Sequence, residues 1–251
     1  MSPERRAGVP YSGTASYNAC MISSAQESAI AVLASGGLDS CILVGDLLRE
    51  KRAVQPIYVR TGLRWQDREL QALKRFLRAV ATPELADLVV LDLPLADLYG
   101  NHWSVTGTQT PDADSPDEAV FLPGRNALLL VKAAVWCQLN GIERLTLAPL
   151  GTSPFEDAQA PFFNEFQTAI NRGSARKVQL VRAFSQMNKG QVMHLGRDLP
   201  LELTFSCIAP QGALHCGRCN KCAERQAAFR EAKIVDRTAY AAMMSALKSA
   251  I

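Results

Sequence analysis

The composition is that of an ordinary globular protein. The chain has 251 residues, 48% apolar and 20% charged, which is enough for a normal core and too apolar for a disordered protein. A net charge of +3 is too small to indicate nucleic-acid binding. No apolar run approaches the roughly 20 residues that span a bilayer, and residues 1–26 lack the apolar stretch of a signal peptide. We therefore expect a cytoplasmic enzyme or binding protein whose seven cysteines are reduced thiols or metal ligands.

After a flexible leader at 1–26, the chain alternates between predicted strands and predicted helices. Short apolar runs predict strands, and apolar residues spaced three or four apart predict helices. The predicted strands are 29–34, 55–59, 87–91, 144–148 and 178–181. The predicted helices include 42–51, 70–80, 126–140 and 162–171. This alternation predicts a Rossmann-like α/β domain over 27–203, with a parallel sheet, strand one at its centre and helices on both faces.

Two other segments do not follow this alternation. Residues 204–251 are expected to form a small zinc-binding appendage followed by a helical tail from Ala223 to Leu247. Residues 94–120 show no clear periodicity, and long loops in α/β enzymes often cover active sites. A cover that includes His102 and Trp103, and a mere surface insertion, are both open interpretations of this loop.

The turn between the first strand and the first helix predicts a phosphate site. Its residues are Ser35, Gly36, Gly37, Leu38, Asp39 and Ser40. The glycines let the backbone approach a ligand, and the following helix presents free N–H groups and the positive end of its dipole. No Lys follows the second glycine, so the Walker pattern is absent. A strand–SGGxDS–helix unit resembles the pyrophosphate loop (PP-loop) of ATP pyrophosphatases, the adenine nucleotide alpha hydrolase-like enzymes that cleave ATP between the α and β phosphates.

Four cysteines within sixteen residues predict a tetrahedral metal site. They are Cys207, Cys216, Cys219 and Cys222. Zinc is the leading candidate, and an iron–sulfur cluster is the rival because C-x2-C-x2-C also occurs in ferredoxins. Four thiols leave no open position, so the site is expected to be structural. Cys41 and Cys137 lie on predicted helices and are expected to be small core residues.

Two further segments place polar groups at predicted helix starts. In Phe121-Leu-Pro-Gly-Arg-Asn126, Arg125 offers a cationic fork for a phosphate or carboxylate. An ordinary surface position is the alternative for Arg125. Asn188 is a candidate N-cap, and Lys189 beside it is either solvated or part of the site.

Together, and in this order, these segments resemble the 7-cyano-7-deazaguanine synthase family over about 30–229. The resemblance rests on SGGLDS at 35–40, FLPGRN at 121–126, NK at 188–189 and CGRCNKC at 216–222. It implies that the turn holds the phosphates of ATP with Mg²⁺, that Asp39, Ser40 and Arg125 take part in catalysis, and that the four cysteines bind one zinc per chain. It also implies a homodimer that converts a 7-carboxy-7-deazaguanine and ammonia to the nitrile, through carboxylate adenylation and release of AMP.

One segment departs from the family. After the fourth strand the family usually carries a run close to D-x-S-G-Y-P-D-C-R, whereas this chain has Gly151-Thr-Ser-Pro-Phe-Glu-Asp-Ala-Gln-Ala-Pro161. The candidate substrate residues are Phe155, Glu156, Asp157 and Lys189. A carboxylate at 156 or 157 could accept paired N–H bonds from a guanine-like edge. A different carboxylate substrate, or a reaction that stops at the amide, stays open.

Two alternative functions are less consistent with the sequence. A tRNA-modifying PP-loop enzyme that transfers sulfur usually needs a catalytic cysteine pair, and Cys137 has no evident partner. A zinc-ribbon binding protein would use the basic residues of the C-terminal helix. These are Arg218, Lys221, Arg225, Arg230 and Lys233. We interpret them as solvated because Glu224 and Glu231 interleave with them, and a binding protein gives no reason for the turn at 35–40.

Overall fold

The computed structural model describes residues 29–242, and within them it confirms a five-stranded parallel sheet with β1 at its centre. The strands follow the order β3-β2-β1-β4-β5. Their bounds are Ile30–Leu33 (β1), Val54–Arg60 (β2), Val89–Asp92 (β3), Arg144–Leu147 (β4) and Gln179–Arg182 (β5). Ile30 pairs with both Val54 and Arg144, so β2 and β4 flank β1. The chain order reverses between β1 and β4, and α/β sheets bind ligands outside the carboxyl ends of strands at such a point.

Helices cover both faces of the sheet, as predicted. Their bounds are Leu38–Arg49 (α1), Gln66–Ala79 (α2), Ala96–Tyr99 (α3), Trp103–Thr106 (α4), Arg125–Asn140 (α5), Ala160–Arg172 (α6), Lys189–Leu195 (α7) and Asn220–Glu231 (α8). Val32 joins the core with α1, α2, α7 and α8, whereas Ala31 joins the core with α5 and α6. Adjacent strand residues point to opposite faces, which explains this division. None of the described helices is long and apolar enough to cross a membrane.

The loop at 94–120 contains α3, α4 and a 3-10 turn at Asp117–Val120. Its Trp103 stacks on Trp65 with ring centroids 5.8 Å apart. His102 does not reach a site: its Nδ1 accepts the Ser104 N–H at 3.3 Å and caps α4. The loop therefore packs against the body of the domain through an aromatic contact.

The predicted helical tail is interrupted: α8 begins at Asn220, and residues 241–242 are helical again after a break. α8 ends at Glu231, and Lys233 takes a left-handed φ of 56°, a conformation that cannot continue the helix. Residues 234–239 form no helix. Tyr240 is instead buried against the His215 ring at 5.7 Å, and the Ala241 N–H donates to the His215 carbonyl at 2.8 Å. The rest of the predicted tail, 243–247, lies outside the described residues, as does the leader at 1–26.

Candidate active site and metal centre

The turn at 35–40 has the geometry of an anion-binding loop. The Ser35 N–H donates to Ser40 Oγ at 3.1 Å, and the two serine hydroxyls lie 3.2 Å apart. The Gly37 N–H lies 3.3 Å from Ser35 Oγ, and α1 begins at the next residue, Leu38. Two hydroxyls and the free N–H groups of α1 thus gather just beyond the carboxyl end of β1, where they can bind a phosphate.

Gly36 is the residue of this turn that no other amino acid can replace. Its φ of +79° lies in the left-handed region, and a Cβ there would lie 2.7 Å from the backbone oxygen of Glu69. The Phe205 N–H also donates to the Gly36 carbonyl at 2.8 Å. The turn is therefore fixed between α2 and the segment that leads to the cysteines.

The turn borders a cavity of about 330 Å³, within the range of about 300–1,000 Å³ that ligand pockets occupy. The predicted site residues that line it are Ser35, Gly37, Leu38, Asp39, Ser40, Arg125, Phe155, Asp157 and Lys189. Glu156 is exposed and does not line it. An adjoining cavity of about 230 Å³ shares Asp39, Glu69 and Arg125 with the first. The structure therefore brings the phosphate turn and most of the predicted substrate residues together.

Lys189 joins the turn to α8 through charged contacts. Its Nζ lies 2.8 and 2.9 Å from the two Asp39 oxygens and 3.7 Å from Glu224 Oε1. Lys221 in turn donates to Glu224 Oε2 at 2.7 Å. Burial lowers the pKa of Lys189, but Asp39 and Glu224 outweigh it and raise the pKa above the usual value. The solvated interpretation of Lys189 is wrong, because its ammonium group is partly buried against the turn.

A capping box fixes the start of α7 and thereby Lys189. Asn188 Oδ1 accepts the Gln191 N–H at 2.9 Å, and Gln191 Oε1 accepts the Asn188 N–H at 2.9 Å. The predicted role of Asn188 as an N-cap is confirmed. Because Lys189 is the first residue of α7, this box sets the backbone position from which its side chain reaches Asp39.

Two buried polar atoms at the cavity have no hydrogen-bond partner. They are Nε of Arg125 and Oδ1 of Asp157. Burial raises the pKa of Asp157, although Asn126 and Arg125 partly oppose the rise. Asn126 Nδ2 donates to the Asp157 carbonyl at 3.3 Å, which attaches this segment to the start of α5. Unpartnered buried polar atoms cost stability, so an unpartnered guanidinium nitrogen and an unpartnered carboxylate oxygen on one cavity wall indicate groups placed for a ligand.

Aromatic rings form another part of the wall. Phe121 stacks on Phe155 with centroids 5.4 Å apart and an interplanar angle of 26°. Trp65 and Trp103, the stacked pair described above, line the same cavity. Flat apolar surfaces of this kind bind planar ring systems by stacking. The cavity therefore combines anion-binding groups with surfaces suited to a planar ring.

Sequence reasoning missed four charged residues of this site, which are Glu69, Lys221, Glu224 and Arg225. Glu69 lines both cavities and accepts a hydrogen bond from the Tyr58 hydroxyl at 2.7 Å. Arg225, interpreted as solvated, is 1% exposed and donates to Thr204 Oγ1 and Thr238 Oγ1 at 2.8 Å each. The available signal for Glu69 and Arg225 was their spacing, because residues three or four apart lie on the same face of a helix. Glu69 lies four residues before the buried Leu73, and Arg225 lies three residues after the buried Cys222.

The four predicted metal ligands meet in one place. The Sγ atoms of Cys207, Cys216, Cys219 and Cys222 are buried, and all lie within 4.8 Å of one another. Two of the sulfur–sulfur distances are 3.9 and 3.8 Å. A zinc–sulfur distance of about 2.3 Å gives a tetrahedron with edges of roughly 3.8 Å, so the four thiols fit zinc. Backbone N–H groups point at the sulfurs, as in the outer shell of such sites.

The histidine next to the cluster is not part of it, and the predictions for Cys41 and Cys137 are confirmed. His215 stays outside the cluster, and its Nε2 accepts the Ser206 N–H at 3.1 Å. Cys41 and Cys137 are fully buried core residues. Burial raises the pKa of both thiols, that of Cys137 to about 12, so neither is a reactive thiolate at neutral pH. Cys20 lies outside the described residues.

The fold and the site together define a class of protein. A parallel sheet with SGGLDS at the carboxyl end of its central strand, next to a polar cavity and a four-cysteine centre, defines an α/β enzyme of the PP-loop type. The family model described as queuosine biosynthesis protein QueC matches residues 29–233. The chain therefore belongs to the QueC family of queuosine biosynthesis enzymes.

Three relatives of this chain carry the same name. A 7-cyano-7-deazaguanine synthase of Desulfotalea psychrophila is 30% identical over 83% of this chain and 97% of its own length. The synthase of Methanothrix thermoacetophila is 30% identical over 83% of this chain and 96% of its own length. The synthase of Acidobacterium capsulatum is 28% identical over 86% of this chain and 97% of its own length. The match thus covers the α/β domain and the cysteine segment together.

Proposed function

We propose that this enzyme converts 7-carboxy-7-deazaguanine and ammonia into 7-cyano-7-deazaguanine, with ATP as the activating substrate and AMP as a product. The observation that carries the proposal is that the turn at 35–40 and the residues Arg125, Phe155 and Asp157 line one cavity. Adenylation of an acid requires the α-phosphate of ATP beside the carboxylate. A cavity with phosphate-binding groups and planar apolar walls meets that requirement.

The chemical need for ATP follows from the substrate. A carboxylate is a poor electrophile because its leaving group would be oxide, whereas transfer of AMP to that oxygen creates a good leaving group. The bound nucleotide with Mg²⁺ would supply this activation and neutralise the developing phosphate charge. A nitrile needs the same activation a second time, on the amide oxygen. The protein's contribution is to bind, orient and electrostatically stabilise these groups.

The residues of the turn are proposed to hold the phosphates. Ser35, Ser40 and the N–H groups at the start of α1 would donate hydrogen bonds to phosphate oxygens. Asp39 offers the hard carboxylate oxygens that Mg²⁺ prefers. Lys189, already held at Asp39, would remain beside the phosphates as a compensating positive charge. Arg125 would contribute its unpartnered Nε to an anionic oxygen.

The 155–157 segment is proposed to recognise the deazapurine. A guanine-like edge presents two adjacent N–H donors, and the free Oδ1 of Asp157 is an acceptor available to them. The Phe121–Phe155 pair offers a face on which the bicyclic ring can stack. Glu156, being exposed, has no direct part in this proposal.

The zinc is proposed to be structural, with one ion per chain. All four of its ligands are buried cysteines, which leaves no position for a substrate. Its task would be to fix the start of α8, the helix that carries Glu224 and Arg225. By the same resemblance, we expect a homodimer that acts in the cytoplasm without a nucleic-acid substrate. Sulfur transfer to tRNA is disfavoured because no cysteine lines the main cavity among the described residues.

The test is a reconstituted reaction with the purified enzyme. It contains Mg-ATP, ammonium chloride and 7-carboxy-7-deazaguanine, and both AMP release and product mass are followed. We expect AMP release that depends on the acid, and the mass of the nitrile. The amide mass alone would indicate a reaction that stops halfway. ADP instead of AMP, or AMP release that ignores the acid, would contradict the proposal.

A further inference from the structure

Four carboxyl groups line the main cavity, and their partners differ. Asp39 is bound by Lys189, and Glu224 by Lys221, so both are neutralised by ammonium groups. Asp157 has a free oxygen that suits recognition of the substrate. Glu69 alone among these four receives its hydrogen bond from a neutral phenol, that of Tyr58. A carboxylate paired with a fixed cation is a weak base, so Glu69 is the carboxylate best suited to accept a proton.

Tyr58 holds this carboxylate in one orientation. Its hydroxyl donates to Glu69 Oε2 at 2.7 Å from the buried strand β2, where Tyr58 is 3% exposed. The backbone of Glu69 is in turn packed against Gly36 of the phosphate turn. Glu69 therefore extends into the cavity from a rigid support, beside the place where the phosphates would be held. Its Oε1 is left for another partner.

The charged and titratable neighbours of Glu69 come from three elements besides its own. They are Tyr58 on β2, Arg125 on α5, and Cys41 on α1, a buried thiol that stays protonated. Burial raises the pKa of Glu69 to about 7, although Arg125 and the Tyr58 hydrogen bond oppose the rise. Burial and the adjacent carboxylate raise the pKa of Tyr58, so the phenol keeps its proton. A group with a pKa near neutrality both accepts and returns protons efficiently at that pH.

We propose that Glu69 is the proton acceptor for the nitrogen nucleophile, and that Tyr58 positions its carboxylate. This inference rests on the proposed function. Near neutral pH the nitrogen source is mostly ammonium, which has no free electron pair. Glu69 takes one proton from ammonium, and the resulting ammonia uses its pair to form the C–N bond. The C–O bond to AMP then breaks and AMP leaves with that electron pair, while the new amide nitrogen loses one further proton to water, because Glu69 is already protonated.

The test separates adenylation from the attack of nitrogen. Glu69→Gln keeps the shape of the side chain and can still accept from Tyr58, but it cannot take up a proton. Wild type and variant are compared in pyrophosphate exchange, which uses Mg-ATP, labelled pyrophosphate and 7-carboxy-7-deazaguanine but no nitrogen nucleophile. They are then compared with ammonium chloride and with hydroxylamine, a nucleophile that is neutral at pH 7. Asp67→Asn, an exposed position on the same helix, is the control.

We expect Glu69→Gln to keep exchange and hydroxamate formation within about threefold of wild type. Its rate with ammonium should fall by about 10²-fold or more, which is the usual contribution of a general base, and should recover as pH rises and free ammonia increases. Tyr58→Phe should shift the pH dependence with a smaller loss. Equal loss in all three assays would assign Glu69 to structure or adenylation, and an unchanged ammonium rate would remove it from the reaction. Absence of exchange in the wild type would instead reject the proposed function.

Discussion

The metal centre and the active-site cavity lie in adjacent parts of the same molecule, but they are built in opposite ways. The metal centre takes all four ligands from residues 207–222, and its sulfur atoms face one another. The cavity takes its groups from the turn, α2, α5, the 155–157 segment, α7 and α8. Its polar groups line the cavity instead of pairing only with one another, and two of their buried atoms lack a hydrogen-bond partner. A closed set of ligands indicates a structural role, and an open set of groups indicates a site for ligands.

The two regions meet at α8. Its N-cap is the ligand Cys219, and within two turns it carries Glu224, which contacts Lys189, and the buried Arg225. Arg225 donates to Leu201 O, Thr204 Oγ1 and Thr238 Oγ1, so it fixes α8 against the chain on both sides of the cysteines. Loss of the metal should therefore disturb the cavity indirectly, whereas changes in the cavity should leave the metal in place.

The largest expected effect comes from removal of a metal ligand. Structural zinc contributes about 10–16 kcal/mol to the folding of zinc-finger peptides, so Cys219→Ser should lower the free energy of unfolding by several kcal/mol. We expect elemental analysis to give about one zinc per chain in the wild type and much less in the variant. Thermal unfolding measures the stability, with Cys137→Ala as a buried cysteine control outside the cluster. Full zinc content in Cys219→Ser, or iron with visible absorbance, would contradict structural zinc.

The second effect concerns the cavity alone. Asp39→Ala removes the carboxylate that holds Lys189 and is proposed to bind Mg²⁺, so we expect a loss of about 2–4 kcal/mol of transition-state stabilisation. AMP formation should fall by roughly 30- to 1,000-fold with zinc content unchanged. Asp46→Asn, farther along α1, is the control. Turnover near that of the wild type in Asp39→Ala would rule out the role assigned to this carboxylate.

The sequence predicts these two regions unequally, for a physical reason. The turn at 35–40 and the cysteines are local in sequence, and their residue types limit what they can do. Arg225 was misinterpreted because its partners, Thr204 and Thr238, lie far from it in sequence and only the fold brings them together. Glu69 was missed because it belongs to the buried face of α2, where its role depends on contact with β2.

In the 151–161 segment, a comparison of sequences alone overstates the difference between this chain and the family. Aligned on Ser153, the family run has Tyr and Asp where this chain has Phe155 and Asp157. An aromatic ring and a carboxylate are thus kept at these two positions, and the structure places both at the cavity. The departure from the family is therefore smaller at the cavity than the change of residue letters indicates.

The third prediction concerns stability and pH, and tests whether Glu69 is as buried as the cavity geometry requires. The pKa of Glu69 is raised from 4.5 to about 7, so the unfolded chain loses this proton first. Between about pH 4.5 and 7 the folded state retains a proton that the unfolded state has released, and stability falls as pH rises through that window. The free energy of unfolding should fall by at most about 3 kcal/mol across this window. Because Glu69 is only half-buried, we expect a smaller value.

Glu69→Gln should abolish that loss. Urea unfolding at pH 5, 6, 7 and 8 measures the free energy of unfolding of the variant and the wild type. The stability of the variant relative to wild type should increase with pH and level off above about pH 7. Asp67→Asn, at an exposed position on the same helix, is the matched control. A difference between Glu69→Gln and wild type that does not change with pH would mean that water or a cation relieves the buried carboxylate.

The smallest effect should come from the 155–157 segment, where two adjacent carboxylates differ in position. Asp157 lines the cavity with a free, buried Oδ1, whereas Glu156 is exposed. Asp157→Asn replaces an acceptor with a mixed donor and acceptor, so one N–H of a guanine-like edge should lose its partner at about 1–2 kcal/mol. We expect the KM for 7-carboxy-7-deazaguanine to rise about 5- to 30-fold, with little change for ATP. Glu156→Gln should leave both constants unchanged. If the two variants behave alike, or if the KM for ATP rises instead, the deazapurine edge is bound elsewhere in the cavity and Asp157 has another partner.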